Sequence, residues 1–80
     1  MPMNNARFWT VLEIQEINDN TRACLPTIYI DYDAAVAAYG QIFAAAAQSG
    51  IPYHAVMILD SNGRISPQDI RIWDRRGTNG

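Results

Sequence analysis

The reactive inventory of this chain is short. It holds one histidine, His54, one cysteine, Cys24, and a pair of carboxylates at Asp31 and Asp33. Cys24 and His54 together would make a thiol nucleophile and its base, but no local signature surrounds either residue. Cys24 reads instead as a small core hydrophobe. One His and one Cys give no ligand spacing, so no metal site is expected. Asp31 and Asp33 could exchange protons with a substrate, yet their position gives them a structural task. They open an alanine-rich segment, where carboxylate oxygens accept from free backbone N–H groups and negative charge suits the helix dipole. The five glycines are scattered at 40, 50, 63, 77 and 80, so no phosphate-cradling loop exists. The reading is therefore non-enzymatic: no catalytic residue and no cofactor is expected. A small hydrolase or lyase using His54 and an acidic residue is the catalytic alternative.

The recognition inventory is richer. Trp9, Tyr29, Tyr32, Tyr39, Tyr53 and Trp73 offer ring faces for stacking on a nucleobase. All six cations are arginine, whose planar fork grips phosphate bidentately as lysine cannot. The candidate ligand-binding set is His54, Tyr53, Tyr39, Arg71, Trp73 and Arg64. Each has a plainer structural reading too. His54 would be a half-buried ring bonded to a carbonyl, Tyr39 a core residue, and Trp9 and Trp73 packing residues at an oligomer seam. Arg71, Arg75 and Arg76 gather near Trp73, as a phosphate grip or as a solvated tail. Nucleic acid is an unlikely partner, because the net charge is −2 and the arginines are dispersed.

These groups need elements to hold them. Residues 8–17 carry β-branched and aromatic side chains and read as a strand. Phe8, Leu12 and Ile14 share one face; Trp9, Val11, Glu13 and Gln15 share the other. Asn18–Thr21 is a turn, with Asn and Asp tolerating left-handed dihedrals. Residues 22–30 form a second strand, and Pro26 confines it to a sheet edge or a bulge. A helix is expected from Tyr32 to Gln48, with Val36, Tyr39, Ile42 and Phe43 on its apolar stripe and Gly50 as a left-handed cap. Residues 53–59 are almost continuously apolar, which predicts a strand covered on both faces. Asp60-Ser61-Asn62-Gly63 reads as a hairpin turn with two positive φ values. Residues 64–74 form the last strand, interrupted at Ser66-Pro67.

The order is ββαββ: an α+β fold with a mostly antiparallel four-stranded sheet and one helix on one face. It fills residues 1–80 as a single domain, with 1–6 and 75–80 as flexible ends. Apolar residues make up 49% and charged ones 18%, which excludes a disordered tail. A lone Cys excludes a disulfide framework, and no apolar run reaches a membrane span. No secretory signal is seen, so a soluble intracellular protein is expected. A chain this short buries only about 60–65% of its surface. The sheet face bearing Trp9 and Val11 is expected to lack cover within the chain, so self-association into a homo-oligomer would bury it.

The run from Thr27 to Gly40 (TIYIDYDAAVAAYG), continued from Ala44 to Ala55, resembles a group of small proteins encoded by bacterial phages and prophages. The shared features are a strand ending in Tyr, an acidic helix start, a helical Tyr, an alanine run and a Pro-x-His lead into the next strand. They span residues about 27–64. Gly40 departs from the pattern, which has a larger polar residue there. The resemblance implies viral origin; a cytoplasmic location in the host cell is expected beside it. It brings no reaction and no established site residues. Joined to the ring and arginine inventory, it leads to an expected anti-defence role. The protein would be a homo-oligomeric sponge whose intersubunit pockets sequester a small nucleotide-type immune signal. The alternative is an interaction protein that binds a host or virion protein through its exposed sheet face.

Overall fold

Two hairpins flank one helix, and each boundary has a local cause. The structure, a computed structural model, describes residues 6–75. Its elements are β1 (Trp9–Asn18), β2 (Thr21–Tyr29), α1 (Tyr32–Ala46), β3 (Tyr53–Asp60) and β4 (Ile65–Asp74). The four strands form one sheet in the order β2-β1-β3-β4, and every neighbouring pair is antiparallel. The fold is thus α+β with ββαββ order. Pro26 lies on the edge strand β2, opposite Leu12, where its missing N–H costs no ladder bond to a further strand. At the first turn, the Asn20 backbone N–H donates to Asn18 Oδ1 at 2.8 Å. The chain reverses there with no positive φ, so the expected left-handed residue is not needed.

The second hairpin also differs from expectation. Only Gly63 has a positive φ, +82°, so Asn62 does not supply a second one. The Asp60 carboxylate instead accepts from the backbone N–H groups of Asn62 and Arg64, at 2.8 and 3.1 Å. Gly63 N–H donates to the Asp60 carbonyl at 2.9 Å. This is a three-residue loop with glycine in the left-handed position, rather than the two-residue turn.

The helix ends at Ala46, two residues before the expected Gln48. Gly50 is not left-handed. The last carbonyls are satisfied otherwise: Gln48 and Ser49 N–H groups reach the Ala45 and Ala46 carbonyls. Arg75 donates to the Ala46 carbonyl at 3.4 Å and to the Ser49 carbonyl. A cation on the C-terminal end suits the dipole. Arg75 therefore belongs to the folded body rather than to a flexible end. The other expected end residues, 1–5 and 76–80, lie outside the described residues, while Ala6 is half-buried. At the N-terminus Asp31 takes the cap position, but its carboxylate makes no capping bond.

The helix packs mainly on the central strands β1 and β3. The core beneath it joins Val11, Val56 and Ile58 to Ala35 and Tyr39, with Trp9 and Tyr29 against its flank. This reverses the expected cover. Trp9 and Val11 lie under the helix, and the face left bare is the one bearing Phe8, Leu12 and Ile14. Strand pairing adds Met57, Ile70 and Ile72 to that bare face. Ile72 is 56% exposed and Ile28, on β2, 64%. Both β1 faces start apolar, and β3 brings bulk to each; the helix docks on the Trp9 set, where Val11, Val56 and Ile58 close against Ala35 and Tyr39. The helix covers one face of β3 rather than both, while on the other face Ala55 is still buried. Cys24 pairs with Ile14 on the edge strand and is exposed, so it is not a core residue.

Candidate functional site

The irregularity of β4 makes the cleft. Met57 pairs with Ile70 and Leu59 with Ile65, so the single residue Ile58 faces four on β4, Ser66 to Asp69. Pro67 cannot donate to the ladder, which favours a bulge at this point. The strand continues through Ser66-Pro67 rather than stopping there. Two helical tyrosines pin the bulge. Tyr32 and Tyr39 are seven residues apart, so they lie on one helix face. The Tyr39 hydroxyl donates to the Gln68 carbonyl at 3.5 Å. The Tyr32 hydroxyl lies 3.2 and 3.3 Å from the two Asp69 carboxylate oxygens.

Between the bulge, the β3–β4 turn and the start of α1 lies a cleft of about 490 Å³. Trp9 and Tyr32 form its aromatic wall, with ring centroids 5.7 Å apart and planes tilted by 60°. Ile58 and Ile65 add apolar surface; Asp60, Arg64, Ser66, Gln68 and Asp69 supply the polar groups. The volume suits a small-molecule site. The Tyr32 phenol is raised above its ordinary value of 10.0, first by burial and then by the Asp69 carboxylate. It remains a neutral donor that holds Asp69 in place.

The expected ligand-binding residues do not converge. Arg64 lines the cleft. His54, Arg71 and Trp73 lie on the same side of the sheet but towards the other end of α1. His54 pairs across the sheet with Trp73, and Arg71 with Val56. There Trp73 meets Phe43 edge-on at 6.2 Å. The Arg71 guanidinium sits 5.4 Å from the Phe43 ring centre, and Arg75 lies 5.5 Å from that of Trp73. Tyr39 is buried in the core. Tyr53 pairs with Glu16 and shares its face with Met57, away from the helix. Arg22 pairs with Glu16 at 2.7 Å.

His54 is 4% exposed and bonds a carboxylate, not the expected carbonyl. Its Nδ1 donates to Glu13 Oε2 at 2.8 Å, and the Gln15 amide donates to the same oxygen at 3.2 Å. Its Nε2, like Trp73 Nε1, is buried with no hydrogen-bond partner among the described residues. Cys24 points to the opposite face of the sheet, so it forms no pair with His54. No group of three or more His, Cys, Asp or Glu is placed to hold a metal among the described residues. None of the described helices is long and apolar enough to cross a membrane.

Residue types marked Trp9 and Tyr32 as ring faces but left them out of the ligand-binding set, and missed Asp60 and Asp69 altogether. Two signals point to them: the seven-residue tyrosine spacing on the helix, and a proline inside an otherwise good strand. Comparison of the chain with known protein families, with curated proteins and with solved structures finds no match.

Proposed function

We propose that this is a non-enzymatic, phage-encoded binding protein that sequesters a small nucleotide-type signalling molecule in the host cytoplasm, so blunting antiviral defence. One observation carries the reading: the cleft of about 490 Å³ is lined by both Trp9 and Tyr32 and by Arg64. A ring wall takes a base, and a guanidinium takes a phosphate. Asp60 and Asp69 set a limit on the ligand. Two carboxylates and one arginine line the cleft, so it suits a ligand with one or two phosphates rather than a polyphosphate. The phage assignment rests on the resemblance of residues 27–64.

Assembly fits this reading. The cleft is on the helix side of the sheet and the bare apolar face is on the other. A homo-oligomer joined through Leu12, Met57, Ile70 and Ile72 leaves every cleft open, so each copy holds one ligand within itself rather than in the intersubunit pockets expected. Calorimetry against nucleoside monophosphates, cyclic nucleotides and ADP-ribose tests the proposal. Binding that weakens in Arg64→Ala, with ligand recovered unchanged after heat denaturation, is expected. No binding across the panel overturns it, and recovery of a cleaved product replaces capture with catalysis.

The second reading is an interaction protein that holds a host or virion protein on the bare face. The exposure of Ile28 and Ile72 favours it. Mass in solution tests the assembly: a monomer at micromolar concentration counts heavily against both readings.

A further inference from the structure

We infer that the cleft reads guanine, and that Asp69 is the residue that reads it. The inference rests on the nucleotide reading above and specifies its base. An ionised carboxylate is an acceptor on both oxygens, with about four lone-pair sites. In Asp69 the Tyr32 hydroxyl supplies a single proton to the carboxylate, at 3.2–3.3 Å, and fixes its orientation. The remaining lone pairs can accept two parallel N–H groups from a ligand.

Guanine alone among the common bases presents two adjacent donors on its pairing edge, the ring N1–H and the exocyclic amino group. Adenine sets an amino donor beside a ring acceptor nitrogen, and so does cytosine. Uracil flanks its single ring N–H with two carbonyl oxygens. Each of these places a lone pair against a carboxylate lone pair, which is repulsive and forfeits one of the two hydrogen bonds. The geometry around the carboxylate agrees with this choice. Trp9 and Tyr32 offer ring surface beside Asp69, and Arg64 lies in the same cleft for the phosphate. Tyr32 contributes twice, through its ring to the wall and through its hydroxyl to the carboxylate, so the reading group is oriented before the ligand arrives.

The test is calorimetry of the full chain with guanosine, adenosine, cytidine, uridine and inosine monophosphates. Guanosine monophosphate is expected to bind about 10- to 100-fold tighter than the adenosine, cytidine and uridine compounds, as a good bidentate pair discriminates. Inosine, which keeps the ring N–H and lacks the amino group, falls between. In Asp69→Asn the amide presents one donor against guanine's two, and the preference disappears while circular dichroism stays unchanged. The inosine comparison is made on the unmodified protein, so it stands whether or not that variant folds. Equal affinity for all five, or a guanine preference that survives Asp69→Asn, overturns this inference and leaves the nucleotide reading standing. Binding of none of them, with cyclic nucleotides and ADP-ribose also failing, overturns both.

Discussion

Glu13→Ala is the sharpest test of what holds the sheet under the helix. Glu13 and His54 come from different strands, 41 residues apart, and meet at 2.8 Å. Their side chains are 14% and 5% exposed, so solvent screens them little. The ring's Nε2 has no partner among the described residues, which leaves the Nδ1 bond to Glu13 as its polar anchor. Removing the carboxylate strands a buried donor. Leaving a buried donor without its acceptor costs about 1–3 kcal/mol, and the 5% exposure of the His54 side chain puts the expected loss at the upper end, about 3 kcal/mol. A domain of this size has roughly 4–12 kcal/mol in total, so the loss is a large share of it. The thermal midpoint should fall by about 12–24 °C. Glu13→Gln keeps an acceptor for the Nδ1 proton and loses only the charge, so its cost should be about 1 kcal/mol. Urea unfolding of both variants, of His54→Ala and of the double alanine variant supplies the measurement. The double variant should cost less than the sum of the singles by about 1–3 kcal/mol. A Glu13→Ala cost below about 0.5 kcal/mol, or strict additivity in the cycle, would refute the reasoning.

Three other expectations follow from the same structure. Ile58→Ala, at 2% exposure beneath the helix, should cost about 2–5 kcal/mol, while Ile28→Ala, 64% exposed on the edge strand, should stay within about 0.5 kcal/mol; urea midpoints decide it, and the reverse order would mean the wrong face is taken as core. Gly63→Ala should cost about 1–2 kcal/mol because φ is +82° there, whereas Gly50→Ala, with no such dihedral, should not destabilise; thermal melts compare them. Tyr32 has a folded value raised above 10.0, so above pH 10 the unfolded chain loses its phenolic proton first. Stability is complete below that pH and falls as pH rises further, and Tyr32→Phe should remove this part of the alkaline loss in unfolding curves.

Periodicity and turn chemistry, both local properties, made much of the fold legible. Period-two alternation marked the strands, alanine and the acidic start marked the helix, and Pro26 marked an edge. The element order followed, and with it the α+β class. Where local chemistry allowed two solutions, the sequence reading went astray. The Asp60–Gly63 turn needed one left-handed residue rather than two, because a carboxylate did the rest. The helix stopped two residues early, and an arginine from the far end of the chain met its last carbonyls.

Alternation divides β1 into a Trp9–Val11 set and a Phe8–Leu12–Ile14 set, and stops there. Which set is buried depends on which face of the sheet the helix docks against, and that is a property of the assembled fold. Packing put Trp9 and Val11 in the core and Cys24 in solvent. It also set His54 against Glu13, since a pairing of residues 41 apart has no local signature. The cleft has the same origin. A proline in β4 announces a bulge, but only the docked helix turns that bulge into a walled site, by hydrogen bonds from Tyr32 and Tyr39. The chain's short-range preferences determined its elements; the contacts between them determined what those elements can hold.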